Sequence, residues 1–243
     1  MRGAGRKFME LTTYGVMDDA PQRSGGIQPP LEIPVAPGEE LIALPDHHVA
    51  QASSMSLVDA IEHRRSLRSY SDESISLAEL SYLLWCCQGV QQAFPKHTLR
   101  TVPSAGARHA FETYVLVNRV QGIMPGLYRF VALQHSLAVV DLSAEITERL
   151  TAACLGHAMV STSAISVFWT AAVERMYFRY GERGYRYLHL DAGHACQNLL
   201  LAAESIGCGA CAIAAFGDEA ANEALGLDGV GRFLVYVATV GKK

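Results

Sequence analysis

The stretch Thr113-Tyr114-Val115-Leu116-Val117 decides the fold class of this 243-residue chain, because it is the first of several strands that follow one another directly. Its β-branched and aromatic residues favour a strand over a helix. Residues 126–130 and 137–140 have the same character. A helix is then predicted near residues 143–154 and a buried strand near residues 164–173. Consecutive strands interleaved with helices predict an α+β fold, with a mixed central sheet flanked by helices, rather than a strict βαβ repeat.

Helix signals lie on both sides of these strands. Ser56-Leu57-Val58-Asp59 and Ser76-Leu77-Ala78-Glu79 have the pattern of capping boxes, and the helix after the second box is expected to stop at Gly89. The longest helix is predicted over residues 185–206, with Gly207 just beyond its end. The remaining predicted elements are a short helix at 218–225 and a terminal strand at 233–240.

Residues 1–54 differ in character from the rest of the chain. They hold six of the nine prolines and show no sustained periodicity, which predicts an extended arm that wraps the body or a partner subunit. Plain disorder is the alternative, but apolar residues such as Leu31, Ile33 and Leu44 supply anchors that a disordered tail would lack. The sequence therefore predicts two parts, the arm over residues 1–54 and one folded domain over residues 55–243.

The composition argues against several classes of protein. Half of the residues are hydrophobic and 18% are charged, so a sizeable buried core is possible. The formal net charge of -4 argues against a nucleic-acid partner, and any phosphate recognition should be local. No apolar run has the length of a signal peptide or a membrane span. We therefore expect a soluble, cytoplasmic protein without a membrane partner.

The cysteines and histidines do not predict a metal site. Cys208-Gly209-Ala210-Cys211 is the only CxxC among six cysteines, and no second pair at zinc-site spacing accompanies it. The nine histidines contain no HExxH motif. We expect reduced cysteines that pack in the core, with a thiol redox role for Cys208 and Cys211 as the alternative.

Two short segments could hold a phosphate. Arg64-Arg65-Ser66-Leu67-Arg68 follows the first capping-box helix, and its three guanidiniums and one hydroxyl could surround a single phosphate. The alternative is a solvated basic helix end, which complements the helix dipole. Pro103-Ser104-Ala105-Gly106-Ala107 is a turn of small residues, through which backbone amides and the Ser104 hydroxyl could approach a ligand closely. Its alternative is an ordinary loop.

Two further segments could contribute to the same site. Residues 207–217 carry several alanines, so a flat aromatic system could lie along their backbone. Gly241-Lys242-Lys243 is either a flexible basic tail or a phosphate contact. The chain has no GxGxxG, GxxxxGK(S/T) or GxSxG motif, so neither a dinucleotide site, a P-loop nor a hydrolase nucleophile is supported. A phosphate site without those loops points to a mononucleotide-type cofactor such as FMN.

Five motifs occur in an order that resembles the nitroreductase family of FMN enzymes, over roughly residues 56–243. They are Arg-Arg-Ser-x-Arg at 64–68, Pro-Ser-Ala-Gly-Ala at 103–107, Pro-Gly-Leu-Tyr at 125–128, Asp-Ala-Gly-His-Ala-Cys-Gln-Asn at 191–198 and Ile-Ala-Ala-Phe at 213–216. Within the family the chain looks most like the SagB-type branch, which includes peptide thiazoline and oxazoline oxidases.

This resemblance implies an interlocked α+β homodimer that binds FMN at the subunit interface with residues of both chains. By that likeness residues 64–68 hold the phosphate, the ribityl chain and the flavin edge, with Arg68 facing the ring. Ser104 to Gly106 would come from the partner subunit, and Ala214 and Ala215 would lie beside flavin N5. The implied cofactor-binding residues are Arg64, Arg65, Ser66, Arg68, Pro103, Ser104, Ala105, Gly106, Ala214, Ala215 and Lys242.

The chain departs from the peptide oxidases at one position. Those enzymes are expected to carry a Lys-Tyr pair ahead of the long helix, where this chain has Arg179-Tyr180. Arg179 stays protonated and cannot readily act as a base, whereas Tyr180 can donate or accept a proton. These two residues are the candidate catalytic residues.

The resemblance predicts an FMN-dependent oxidoreductase that transfers hydride through flavin N5. The hydride donor would be NAD(P)H in a free-standing reductase, or the substrate itself in a peptide oxidase. The expected substrate is a small molecule or a peptide. The alternative function is a non-catalytic flavin-binding or scaffold subunit of a peptide-modifying complex.

Overall fold

The computed structural model describes residues 3–16, 19–49 and 55–243. Its helices are α1 (Ala4–Leu11), α2 (Leu57–His63), α3 (Leu77–Gln88), α4 (Ile146–Ala153), α5 (Met159–Thr162), α6 (Val173–Tyr180), α7 (Gly184–Ser205) and α8 (Asp218–Ala224). Its strands are β1 (Leu41–Ala43), β2 (Val90–Phe94), β3 (His97–Arg100), β4 (Phe111–Val117), β5 (Gly126–Val131), β6 (Ser136–Asp141), β7 (Ile165–Ala172), β8 (Cys208–Ile213) and β9 (Arg232–Lys242).

One seven-stranded sheet, in the order β1-β6-β5-β4-β7-β9-β8, forms the centre of the fold. Every neighbouring pair in it is antiparallel. Parallel pairing within the described ranges is limited to two isolated bridges, Ser66 with Ala210 and Ile75 with Val120. The α+β class is confirmed, but the sheet is antiparallel rather than mixed. Short connections such as those between β4, β5 and β6 reverse the chain direction at each step, whereas parallel neighbours need long crossovers.

Helices cover both faces of this sheet. On β7 the adjacent residues Phe168 and Trp169 are both fully buried and belong to different cores, because successive side chains of a strand point to opposite faces. On the Trp169 side, α3 and α7 contribute Leu84 and Leu188. On the Phe168 side, α4 contributes Leu150 and α8 packs beside it. The strand is therefore buried in the middle of three layers.

The predicted helix boundaries are confirmed where capping residues mark them. At the start of α3 the Ser76 hydroxyl accepts from the Glu79 amide at 3.2 Å, and the Glu79 carboxylate accepts from the Ser76 amide at 2.7 Å. The same reciprocal box begins α2 at Ser56. The long helix α7 ends before Gly207, whose φ of +71° is the left-handed conformation that glycine favours. None of the described helices combines the length and apolar character needed to cross a bilayer.

The first part of the chain is not extended throughout, contrary to the sequence prediction. Residues 4–11 form α1, because this stretch contains good helix formers and no proline. Residues 41–43 form β1, which pairs with β6 at the edge of the sheet. Between them, the Ile33 amide donates to Glu112 at 2.7 Å and the Glu32 carboxylate accepts from the Leu133 amide at 3.2 Å. The predicted boundary at residue 54 lies outside the described residues.

Candidate functional site

The basic segment Arg64–Arg68 lies along the outer edge of β8. Ser66 forms a bridge with Ala210, and the Leu67 amide donates to the Ala210 carbonyl at 3.0 Å. The Leu67 side chain packs directly over Gly209: a Cβ added to that glycine would lie 2.2 Å from Leu67 Cδ2. Gly209 therefore allows the close approach that positions this segment, a role that no sequence motif had indicated.

The three arginines of this segment have different surroundings. The Arg65 Nη1 donates to the carbonyls of Glu62 and Arg64 at 2.7 and 2.9 Å, so Arg65 stabilises the end of α2. Arg64 is half-buried, and its guanidinium has no hydrogen-bond or ion-pair partner within residues 3–16, 19–49 and 55–243. Arg68 and Ser66 are exposed, and Arg68 donates only a long 3.4 Å bond to the Ser66 carbonyl. Arg64 and Arg68 are therefore the two arginines free to bind an anion.

Replacing Gly209 with alanine tests whether this contact positions the segment. We expect Gly209→Ala to lower the free energy of unfolding by about 1–3 kcal/mol, because the new methyl group overpacks against Leu67. Gly193→Ala is the matched control: Gly193 lies in α7, and a Cβ added to it would have nothing within 4 Å, so this change should be neutral or stabilising by up to about 1 kcal/mol. Urea unfolding measures the stability of both variants. Equal changes in stability would contradict the role of Gly209 in the close approach of Leu67.

The small-residue segment at 103–107 is a tight and unusual turn. Ala105–Ala107 form a single 3-10 turn, and Gly106, Ala107 and His109 have φ values of +58°, +54° and +44°. Such left-handed conformations are uncommon for residues other than glycine, and their strain must be offset by surrounding contacts. The Ser104 hydroxyl accepts from the His109 amide at 2.9 Å. Pro103 at the start of the turn is exposed.

Two charged side chains hold this turn from either side. The Ala105 amide donates to both carboxylate oxygens of Asp191, each at 3.3 Å, and Arg108 Nε donates to the Gly106 carbonyl at 3.0 Å. Burial raises the pKa of Asp191, although its hydrogen bond with Ser104 opposes that shift. The sequence motifs predicted a role for neither Asp191 nor Arg108, although Asp191 opens one of the five motifs. No local sequence pattern around Arg108 indicates a functional role for it.

The turn touches the candidate catalytic pair within one chain. A Cβ added to Gly106 would lie 2.5 Å from Arg179 Nε and 2.5 Å from the Tyr180 hydroxyl oxygen. Tyr180 packs edge-on against Tyr187, with ring centroids 4.8 Å apart. Arg179 is exposed and Tyr180 is half-buried at the end of α6. The fold therefore brings together Gly106, Arg179 and Tyr180, which are far apart in sequence.

The pH dependence of stability reports on the burial of His109 beside this turn. Burial, followed by the charge of Arg100, lowers the pKa of His109 from 6.5 to about 3. Between those values the unfolded chain binds a proton that the folded chain does not, so the free energy of unfolding should fall as pH drops below 6.5. His109→Asn should flatten this fall, because asparagine does not titrate and tolerates a left-handed backbone. Urea unfolding from pH 4 to 7 measures the free energy of unfolding of the wild type and of His109→Asn. An identical pH dependence in the two proteins would contradict the expectation.

The remaining cofactor candidates lie at the two ends of β8. Ala214 and Ala215 follow its last residue and are exposed. Lys242 pairs with Cys208 in the β8–β9 register, and its ammonium forms an ion pair with Glu79. The charge of Lys242 is therefore already matched by a carboxylate, which makes it a weaker anion ligand than Arg64.

The candidate residues form two groups. Arg64–Arg68, Ala214, Ala215 and Lys242 are attached to β8 and β9, whereas the 103–106 turn is attached to α6 and α7. Within the described ranges, no hydrogen bond or ion pair joins the two groups.

The CxxC cysteines are both buried on β8. Burial raises the pKa of Cys208 to about 11, so its thiol is a poor nucleophile at neutral pH. This environment suits packing cysteines better than a thiol redox pair.

Known proteins resemble this chain in sequence. The family model described as the nitroreductase family matches residues 61–242. A protein of Methanocaldococcus jannaschii, provisionally named a nitroreductase, is 35% identical over 184 residues, which cover 76% of this chain and 88% of that protein. The trifolitoxin-processing protein of Rhizobium leguminosarum bv. trifolii is 34% identical over 116 residues, which cover 46% of this chain and 31% of that protein.

Solved structures resemble it in fold. A structure from Anabaena variabilis, provisionally named a nitroreductase, matches with a TM-score of 0.70 and 30% identity over 85% of this chain, which spans 42% of that one. The Escherichia coli microcin synthetase complex with truncated pro-MccB17 bound matches with a TM-score of 0.63 and 21% identity, over 98% of this chain and 86% of that one. A Desulfovibrio desulfuricans structure with FMN matches with a TM-score of 0.55 and 20% identity, over 78% of this chain and 87% of that one. The last two likenesses show a common fold alone.

Proposed function

Because this chain belongs to the nitroreductase family of oxidoreductases, we propose that it binds FMN and transfers a hydride through flavin N5. The observation that carries this proposal is the basic segment along β8, where the Arg64 and Arg68 guanidiniums are free of protein carboxylates among the described residues. The Desulfovibrio desulfuricans structure of the same fold contains FMN, which supports the choice of cofactor.

The residues at β8 fit FMN on two grounds. The half-buried Arg64 guanidinium lacks a partner within the described part of the chain, as expected of a side chain that binds a phosphate. Ala214 and Ala215 are exposed and carry only a methyl group, so their backbone is open to a flat ring system. When bound there, FMN supplies the hydride acceptor and donor.

The protein's own residues have separate roles in this proposal. Arg64 and Ser66 bind the phosphate and the ribityl chain, and Arg68 faces the flavin ring, where a cation stabilises negative charge. Arg65 contributes mainly by stabilising the end of α2. Tyr180 donates or accepts a proton at its hydroxyl, while Arg179 remains charged and orients a substrate.

We further propose that the functional unit is a homodimer in which residues 103–106 of one chain complete the site at β8 of the other. Two observations support this arrangement. The two groups of candidate residues are attached to different elements of one chain, and α2, which precedes the basic segment, exposes Leu57, Val58 and Ile61 by 66%, 63% and 56%. An exposed apolar face of this kind is typical of a protein interface.

We also propose that the chain belongs to the SagB-type branch of the family. This assignment is supported by sequence similarity to the trifolitoxin-processing protein and by the fold shared with a microcin synthetase complex that has a peptide bound. These relatives favour a peptide substrate. The peptide oxidases are expected to use a lysine base where this chain has Arg179, and arginine cannot readily act as a base. A small-molecule reductase that uses NAD(P)H is therefore the second possibility.

The test is an anaerobic titration of the purified protein. We expect a yellow protein, or one that turns yellow and retains the colour after FMN is added and the excess is removed. A protein that stays colourless would refute the cofactor proposal. Bleaching by NADH or NADPH would assign a reductase, whereas bound FMN that only a peptide substrate bleaches would assign an oxidase. FMN that neither can bleach would instead indicate the non-catalytic flavin-binding subunit.

A further inference from the structure

A cavity of about 420 Å³ lies between the N-terminal arm and the end of α6. Its wall combines Tyr14, Asp19, Gln22 and Arg23 of the arm with Arg179 and Tyr180 of α6. A volume of this size accommodates a small molecule or one residue of a peptide. Because Tyr180 is the proposed proton-transfer residue, the cavity adjoins the proposed chemistry.

The arm is attached to the body on both sides of the cavity. The Gln22 amide donates to the Phe178 carbonyl at 2.8 Å. The hydroxyls of Tyr14 and Tyr187 share a hydrogen bond of 2.7 Å, and the Arg183 guanidinium lies 4.2 Å from the centre of the Tyr14 ring. These contacts fix Tyr14 and Gln22 of the arm in the cavity wall.

Positive charge dominates this corner of the molecule. Arg179 lines the cavity, Arg183 lies over the Tyr14 ring that also lines it, and Arg108 is close enough to Arg179 for the two charges to repel. None of these three arginines forms an ion pair with a carboxylate of the described residues. Arg183 and Arg186 donate instead to hydroxyl and carbonyl oxygens. Burial, followed by repulsion from Arg179, lowers the pKa of Arg108. The unmatched positive charge therefore favours an anionic ligand.

The acid that lines the cavity does not neutralise Arg179. The Asp19 carboxylate pairs with Arg23 at 2.8 Å, and both side chains are more than 70% exposed. An exposed pair of this kind contributes little and can rearrange readily. Arg179 thus presents a planar fork of donors to the cavity without a carboxylate partner among the described residues, and this fork matches the oxygens of a carboxylate or a phosphate.

We propose that this cavity binds a substrate with an oxyanion, a carboxylate or a phosphate, which Arg179 holds beside the Tyr180 hydroxyl. The ligand is a substrate only if the proposed function is correct, whereas binding of the oxyanion itself does not require flavin. It gives Arg179 a binding role at a position where a permanently protonated group cannot serve as a base. The arm then contributes to substrate specificity.

Isothermal titration calorimetry of the full-length protein, with FMN added, tests the proposal with three probes. Benzoate and phenyl phosphate carry the two oxyanions, and benzamide is a neutral analogue of benzoate. We expect benzoate, phenyl phosphate or both to bind, and benzamide to bind at least tenfold more weakly. The stronger of the two oxyanions identifies the ligand chemistry. Equal affinities for benzoate and benzamide, without tighter binding of phenyl phosphate, would overturn the proposal.

Variants locate the binding site. Arg179→Gln should weaken the binding of the preferred oxyanion by about tenfold or more, which is the loss of one charge-assisted hydrogen-bonded pair. Arg179→Lys should be intermediate, because it keeps the charge but loses the fork. Arg149→Gln is the control, since Arg149 is exposed and pairs with Asp141 away from the cavity. Unchanged affinity in Arg179→Gln would overturn the proposal. Oxyanion binding by protein that retains no FMN would support this site while refuting the cofactor.

Discussion

Replacing Arg64 or Arg68 with alanine is expected to lower the affinity for FMN by about ten- to a hundredfold each. A hydrogen bond to a charged group contributes about 1.5–3 kcal/mol, which corresponds to that range of affinity. In the free protein neither guanidinium is used by a protein carboxylate of the described residues, so each is available for the ligand. Recovery of free FMN fluorescence during equilibrium dialysis measures the dissociation constant.

Two further variants show whether the loss is specific. Arg65→Ala should weaken FMN binding less than Arg64→Ala, because the Arg65 guanidinium already donates to two backbone carbonyls at the end of α2. Arg149→Ala removes an exposed arginine on α4 and should leave the affinity unchanged. If FMN binds equally well to the wild type, Arg64→Ala and Arg68→Ala, the assignment of the phosphate and ring contacts is wrong.

Replacing Gly106 with alanine is expected to have the second large effect, chiefly on activity. The new methyl group would lie 2.5 Å from Arg179 Nε and from the Tyr180 hydroxyl oxygen, so one or both side chains must move. Both atoms lie at the far ends of side chains, and Arg179 is exposed, so their displacement costs little stability. The left-handed φ of +58° costs about 1 kcal/mol for alanine. Misplacing a proton-transfer group by about 1 Å can lower the rate about a hundredfold. Urea unfolding and the rate of anaerobic flavin bleaching measure the two effects.

Gly122→Ala separates the steric contact from the backbone strain. Gly122 has a φ of +82°, and a Cβ added to it would have nothing within 4 Å, so alanine there has the backbone cost without the collision. We expect Gly122→Ala to bleach at the wild-type rate and to lose only about 1 kcal/mol of stability. If Gly106→Ala behaves like Gly122→Ala in both measurements, the 103–106 turn does not position Tyr180.

The elements that the sequence predicted well are those whose signals are local. Ser56 and Ser76 each lie three residues before an acidic side chain, and this spacing alone places two helix starts. Gly207 likewise marks the end of α7. The arm was predicted less well, because prolines at its centre obscured the helix at residues 4–11, and β1 is a strand only through its pairing with β6.

The sequence by itself determined the α+β class, five of the seven strands of the sheet (all but β1 and β8), the longest helix and the residue types that could bind a phosphate, since periodicity and spacing are properties of neighbouring residues. Only the tertiary structure decided which of those residues are available. It paired Lys242 with Glu79, and it brought Gly106 against Tyr180. It also gave the sheet its antiparallel order. These outcomes depend on how distant segments pack, and a close contact between distant segments leaves no local pattern in the sequence from which it could have been predicted.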